Sequence, residues 1–397
     1  MHPVDYNHTI LLSHDELTRR QERVRSLMKA DASRPDALLI TDYANIFYLT
    51  GRVFAGQIYL PLEGEMICFV RRPVDLEGDG TVRIRKPEEM AQTIGLNAPA
   101  RLGLELDITA WSAVKRLSAV FPEAEIVNAS PIMRMARAVK TDLEIERVRR
   151  SGVAHEEVYS RIPRLYSEGM TDLQLQVEIE RESRLKGCLG MFRISGTSME
   201  TFMGSLIAGD NADAPSPYDF AMGGAGLDPS LPVGANDSTI LPGNTVMVDL
   251  NGNFTGYMTD MSRVYSLGEI SELARKAHQC SIDIHRMIAK AAVPGTPAKA
   301  LYEMALELVK ERGLESYYMG HRQQAGFIGH GVGIEINELP VIAPRSRDII
   351  ERNNVIALEP KFVIPHTGPV GIENTYRVTD TGLECLTNSP EEIISLI

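Results

Sequence analysis

Four carboxylates in this sequence stand where carboxylates are costly. Residues 245–265 form two apolar runs joined by a Gly/Asn turn. Val246, Met247, Val248 and Leu250 surround Asp249, while Tyr257, Met258, Met261 and Val264 surround Asp260. Two later apolar runs, residues 355–364 and 370–379, are interrupted by Glu359 and Glu373. A carboxylate in such a strand must find a cation or give up its charge. Like charges held close raise each other's pKa unless something positive lies between them. A metal ion is the plainest remedy. Between the two acid pairs lies Gly329-His330-Gly331-Val332-Gly333, an imidazole flanked by residues that let backbone approach closely. The formal −4 of the four acids matches the +4 of two divalent cations, and a neutral imidazole completes the set. An oxygen-rich site with one nitrogen ligand and two metals has the composition of a hydrolytic dinuclear centre.

Taken singly, these residues have simpler readings. Asp249 and Asp260 alone would be turn residues flanking Asn251-Gly252, and His330 alone a satisfied core histidine. Their order along the chain makes them candidate ligands. His321 and His366 are candidates for the pocket, with a surface loop as the alternative. His278 and His285, at i, i+7 on an expected helix, are not expected to be ligands. Tyr257 is expected to pack and Arg263 to neutralise a nearby acid. Phe220, Met222 and Phe254 either line the pocket or pack.

The elements that must position these groups follow from periodicity and punctuation. An amphipathic helix is expected over residues 13–30, with Leu17, Val24, Leu27 and Met28 near one face. A buried strand follows at 36–40, then residues 45–51 ending on a glycine turn. A hairpin pairs 57–62 with 66–70, a helix occupies about 86–95, a strand 102–105 and a helix 109–121. This alternation describes a small α/β domain ending near 132–139. Thr141-Asp142-Leu143-Glu144 and Thr171-Asp172-Leu173-Gln174 are capping boxes that open two further helices. Residues 191–240 read as short strands and long loops, and their glycines as a pocket wall. After the acid-bearing hairpin a helix spans about 269–292. A second is capped by Thr296, with Pro297 at its first position and Gly313 beyond its end. The order helix, helix, acid-bearing strands occurs twice, an internal duplication of about 110 residues per copy. It would bring both acid pairs to one central sheet. The expected domains are 1–135 and 136–397.

Lys+Arg 41 against Asp+Glu 53 gives a net charge of −12, which argues against nucleic acid as a general partner. No run approaches the length of a membrane span, and the first ten residues do not read as a signal peptide. Cys68, Cys188, Cys280 and Cys385 are far apart and read as reduced thiols of a cytoplasmic protein.

With all five ligand candidates in place, the chain resembles the pita-bread metallopeptidase family, which includes Xaa-Pro dipeptidase, aminopeptidase P, methionine aminopeptidase and the metal-free creatinase. The resemblance rests on Asp249, Asp260, His330, Glu359 and Glu373 in order, on Gly256-Tyr257 and Ser262-Arg263 about the second acid, and on Glu359-Pro360 and Ile372-Glu373-Asn374-Thr375. Asn45 to Gly51, Arg137-Ala138-Val139-Lys140 and Glu144-Ile145 resemble the N-terminal domain and junction of its two-domain members. The resemblance implies an α/β creatinase-like N-terminal domain and an α+β pita-bread catalytic domain of duplicated ααββ order. It implies two divalent ions (Mn, Co, Fe or Zn). Asp249 would hold one, His330 and Glu359 the other, and Asp260 and Glu373 would bridge them. A hydroxide between the ions would attack a small peptide or amide C–N bond while Glu359 relays protons. A homodimer is implied, with residues near Phe54 and Tyr59 at the contact. The substrate residues depart from the prolidase pattern. Pro232-Val233-Gly234 stands for Pro-His-Gly, Asn337 for the histidine before Glu338-Leu339-Pro340, and Gly371-Ile372-Glu373 for Arg-Ile-Glu. Asn337 can still donate to an oxyanion, whereas Val233 cannot. A hydrolase or lyase acting on a small non-peptide metabolite is the alternative.

Overall fold

The computed structural model of the protein describes residues 12–95, 98–196, 202–220 and 222–397. The first ten residues, read above for a signal peptide, lie outside the described residues. The chain divides into two compact units, one up to Arg137 and one from Ala138.

The first unit begins with α1 (His14–Ala30), β1 (Ala37–Ile40) and α2 (Tyr43–Thr50). It continues with β2 (Ala55–Pro61), β3 (Ile67–Arg72), β4 (Thr81–Arg83) and α3 (Met90–Ile94), then β5 (Arg101–Leu104), α4 (Trp111–Ser118), β6 (Glu125–Asn128) and α5 (Ser130–Ala138). Its six strands run in the order β4-β3-β2-β1-β5-β6. The sheet is mixed: β1 is antiparallel to β2 and parallel to β5. Asp42 caps α2, and Gly51 ends it in the left-handed conformation (φ 74) that favours glycine. Phe54 and Tyr59, expected near a dimer contact, are buried within this unit, Tyr59 stacked on Phe121.

The second unit opens with α6 (Asp142–Tyr159), α7 (Ile162–Leu165) and α8 (Asp172–Leu185), then β7 (Gly204–Ala208), β8 (Thr245–Asn251) and β9 (Asp260–Ser266). The pattern returns with α9 (Glu272–Ala291), α10 (Ala298–Glu311), β10 (Gly329–Gly331), β11 (Glu338–Ile342) and β12 (Val355–Leu358). Then come β13 (Lys361–Ile364), β14 (Gly368–Gly371), β15 (Asn374–Thr379), β16 (Gly382–Cys385) and β17 (Ile394–Ser395). The capping boxes at Thr141 and Thr171 are both formed. Pro297 rather than Thr296 is the N-cap residue of α10, one position later than the sequence suggested. Thr296 donates its hydroxyl to the carbonyl of Ala291.

The strands form a four-stranded sheet β17-β9-β8-β7, a five-stranded sheet β11-β10-β12-β15-β16 and a two-stranded ladder β13-β14. Two strands expected to be continuous are each divided. Pro360 lacks an N–H, so the ladder cannot run through it, and β12 gives way to β13 there. Gly371, at φ +123, ends β14 before β15 begins. Glu359 and Glu373 stand at these two breaks, where the chain leaves one ladder for another. α9 and α10 lay Ala274, Ala277, Ile284, Ile288, Leu301, Ala305 and Val309 into the core that backs β12, β13 and β14.

Candidate metal centre

The β8–β9 hairpin sets the first half of the centre. Asp249 lies opposite Ser262, and Asn251 opposite Asp260. Residues two apart on a strand share a face, as do residues directly across a ladder. Asp249, Asn251, Asp260 and Ser262 therefore belong to one face. The second half is docked by backbone hydrogen bonds. The Glu373 N–H donates to Ser262 O at 3.2 Å, the Ser262 N–H donates to Glu373 O at 3.3 Å, and the Glu359 N–H donates to Ile328 O at 2.8 Å. His330, on β10, lies opposite Ala357 of β12.

The five ligand candidates converge in two overlapping groups that share Glu373: Asp260, His330 and Glu373, and Asp249, Glu359 and Glu373. In each group the ligand atoms lie within 4.8 Å of one another. His330 Nδ1 faces its neighbour's carbonyl, Gly331 O, at 3.1 Å. Donation there leaves Nε2 directed at the acids, 3.2 Å from Glu359 Oε1 and 4.0 Å from Asp260 Oδ2. Burial and the charges of Glu373, Asp249 and Glu359 push the Asp260 carboxyl well above its ordinary value. Burial and Glu359 likewise push Glu373 up to about 8. Burial would raise Glu359 too, but the Lys361 ammonium and His330 outweigh it and hold Glu359 at about 2. Burial lowers His330, and its hydrogen bond to Glu359 with the charges of Glu359 and Glu373 more than reverses this.

The sequence reading missed Lys361. Its Nζ donates to Asp249 Oδ2 at 2.8 Å, Glu359 Oε2 at 2.8 Å and Glu373 Oε2 at 2.9 Å. The side chain is 0% exposed. Burial disfavours its charge, but the three carboxylates reverse that and raise it well above the usual lysine value. The signal was available: Lys361 is a cation within the same apolar run that carries Glu359, two residues away.

The two groups therefore differ in their fitness for a metal. In the first, Glu373 Oε1 is buried with no hydrogen-bond partner among the described residues, an acceptor that a cation would satisfy. Carboxylate and imidazole there make a donor set for a divalent ion. In the second, all three carboxylates that would ligate an ion already accept a hydrogen bond from Lys361 Nζ.

The remaining candidates fall into place around this centre. Asn337 accepts from Ser195 N–H at 2.8 Å and donates to Ser195 O at 3.0 Å. His321 lies on the surface with Asp213 and stacks on Tyr317. His366 is 92% exposed beside Asp210. His278 and His285 are buried supports. The Gly371 N–H donates to His278 Nδ1, so His278 Nε2–H donates to Glu391 O. His285 Nε2 faces Ile372 O and its Nδ1 faces the Tyr376 hydroxyl. Tyr257 is fully buried and donates to Glu144. Among the described residues Arg263 forms no ion pair, and the acid whose charge it feels is Glu391. Its guanidinium instead donates to the carbonyls of Ser262, Glu373, Thr387, Ser389 and Pro390 and to Asn374 Oδ1. An arginine offers five planar donors, which suits a cage of carbonyls better than a single carboxylate. Met222 packs in the core of the second unit, and Phe254 packs beside the other core cluster there. Phe220 lies against Tyr218.

A duplicated ααββ unit with carboxylates and one imidazole gathered on its sheets defines a pita-bread hydrolase. Residues 146–380 match the metallopeptidase family M24 model and residues 20–139 the Creatinase/Prolidase N-terminal domain. The chain belongs to metallopeptidase family M24 and is a metal-dependent hydrolase of that class. It is 26% identical over 375 residues to the uncharacterized peptidase YqhT of Bacillus subtilis, covering 91% of this chain and 96% of that protein. It is 25% identical over 383 residues to a Pyrococcus furiosus Xaa-Pro dipeptidase, covering 94% of this chain and all of that one (100%). The fold matches the solved Xaa-Pro dipeptidase from Bacillus anthracis with a TM-score of 0.78 at 22% identity, covering 96% of this chain and 99% of that one. No helix among the described residues is long and apolar enough to cross a membrane.

Proposed function

We propose that this protein hydrolyses a C–N bond in a small peptide or peptide-like substrate, in the manner of an Xaa-Pro dipeptidase. The observation that carries the reading is the convergence of Asp260, His330 and Glu373 with Glu359 beside them. Asp260, His330 and Glu373 would hold a divalent ion such as Mn, Co, Fe or Zn. Such an ion polarises a scissile carbonyl and makes water acidic enough to serve as a nucleophile near neutral pH. Glu359 is the group we assign to proton relay. Its Oε2 is fixed by Lys361, and its Oε1 faces His330 and the centre. Asn337 gives one N–H to Ser195 O, and its second N–H is the one we assign to an oxyanion. The relatives named Xaa-Pro dipeptidase support the substrate class. The four cysteines are free thiols, which supports the reading of a cytoplasmic protein, and the family resemblance supports a homodimer.

A second reading, a hydrolase or lyase of a small non-peptide metabolite, is favoured by one observation. Val233 and Gly371 bring no polar side chain to the positions where prolidase-type chains carry histidine and arginine. The test is activity on a panel of X-Pro and other dipeptides after metal depletion and re-addition of Mn or Co. Metal-stimulated cleavage of an X-Pro bond supports the first reading. Refusal of every peptide, with turnover of a small amide or zwitterion, replaces it with the second. No metal-stimulated turnover of any kind removes both.

A further inference from the structure

Three properties of Lys361 bear on how many ions this centre can hold. An ammonium has three donors, and all three are used on carboxylate oxygens at hydrogen-bonding distance. These oxygens belong to Asp249, Glu359 and Glu373, the three residues of one of the two metal-compatible groups. A divalent ion at their centre and the lysine nitrogen exclude each other.

The lysine is also built in rather than draped over the site. Its backbone O accepts from Met319 N–H at 2.8 Å, and Tyr318 forms a bridge with the next residue, Phe362. Lys361 lies directly opposite Gly371 in the β13–β14 ladder. A Cβ on Gly371 would come within 2.9 Å of Lys361 Cα and 2.7 Å of Pro360 O, so this strand geometry requires glycine there. Phe362, Val363 and Ile364, which follow Lys361 on β13, are all buried in the core. The ammonium has no nearby solvent to withdraw into when an ion arrives.

We propose that Lys361 is an internal cation filling one of the two cation positions of this carboxylate cluster. The chain then binds a single divalent ion, at Asp260, His330 and Glu373, where the five-residue ligand set implied two. The proposal rests on the metal-dependent reading above and changes its stoichiometry. It also alters the charge balance. Four carboxylates with two divalent ions and a buried ammonium would carry a net positive charge, whereas one ion leaves a single negative charge for a substrate or proton to meet.

The test is to count ions on the full-length protein. Metal-depleted protein is saturated with Mn2+, freed of excess and analysed by plasma mass spectrometry and electron paramagnetic resonance. The expected result is one Mn per chain with the hyperfine sextet of an isolated ion. Two Mn per chain with an exchange-coupled spectrum, or no Mn at all, would overturn the proposal. Lys361→Gly is expected to raise the count to two, and a count of one in that variant would also overturn it. Should that variant fail to fold, Asp249→Asn and Asp260→Asn decide the matter by calorimetry. Asp260→Asn should weaken Mn2+ binding by about a hundredfold or more, and Asp249→Asn by less than about threefold, since Asp249 serves the lysine. Equal losses would count against the assignment. Failure to cleave peptides with one ion bound would sink the proposed substrate class and leave this inference standing.

Discussion

Ser262 and Glu373 are joined three times: by a reciprocal pair of backbone hydrogen bonds and by Ser262 Oγ donating to Glu373 Oε2 at 2.7 Å. The backbone pair docks the β8–β9 sheet onto the strand break that carries Glu373. The hydroxyl bond aims the carboxylate, leaving Oε1 for the ion. Ser262→Ala keeps the backbone pair and loses only the aiming bond. We expect its thermal midpoint to stay within a few degrees of the parent, while divalent-ion affinity falls by about 10–100-fold, as for other groups that orient ligands. Calorimetric titration with Mn2+ measures this, and unchanged affinity would show that the bond from Lys361 alone aims Glu373.

Asn251 raises a different expectation. It is 2% exposed, shares a face with Asp249 and Asp260, and neither its Oδ1 nor its Nδ2 has a hydrogen-bond partner among the described residues. A buried, unpartnered amide costs about 1–3 kcal/mol. Our hypothesis is that it serves the substrate or the bound ion. Asn251→Leu should then leave the urea midpoint unchanged or higher and lower kcat/KM at least about tenfold, the equivalent of one lost hydrogen bond to a charged partner. Parent-like kinetics in that variant would show that the amide has no role in turnover.

Much of this was legible in the sequence, for identifiable reasons. Asp249, Asp260, Glu359 and Glu373 each interrupt an apolar run, and that conflict is visible without coordinates. The capping boxes at Thr141 and Thr171 are local signals and formed as written. What escaped depends on contacts distant in the chain. The breaks at Pro360 and Gly371 divide runs that periodicity alone would keep whole. Arg263 follows an acid-bearing segment and looks like its counter-ion, yet most of its partners are carbonyls more than a hundred residues away. Lys361 escapes a sequence reading because two divalent ions already balance the formal charge of the four acids. His321 and His366 could not be placed, since nothing local distinguishes a surface loop from a pocket loop.

The pair Lys140–Glu338 supports the loop that follows His330. Lys140 Nζ lies 2.9 Å from Glu338 Oε2, and the two side chains are 1% and 2% exposed. Glu338 Oε1 accepts the N–H groups of Ile334 and Glu335. Removing only the cation takes a charged partner at 2.9 Å from a buried carboxylate. Lys140→Met should therefore destabilise the protein by about 3–5 kcal/mol in urea unfolding. The double variant Lys140→Met/Glu338→Gln keeps the carbonyl acceptor without the charge and should recover most of that loss. If Lys140→Met alone costs less than about 1 kcal/mol, the pair is worth no more than an exposed one.

Three buried histidines make acid stability measurable one residue at a time. Burial, with a smaller contribution from Arg263, lowers His155 to about 3. Burial lowers His285 to about 3 and His278 to about 4, more than their carbonyl partners restore. Each is neutral in the folded chain, while the unfolded chain protonates near 6.5. Between about pH 6.5 and 4 the unfolded state thus binds more protons, and stability must fall as pH falls through that window. Above 6.5 these groups contribute no slope. The raised carboxyls of Asp260 and Glu373 act in the opposite direction, so the clean observable is a difference. His278→Gln can accept from Gly371 N–H and donate to Glu391 O without titrating. Its unfolding free energy should lose about 1.4 kcal/mol per pH unit less than the parent's between pH 6 and 4.5, the slope of one proton. Parallel pH profiles for the two proteins would mean that His278 is already charged in the fold.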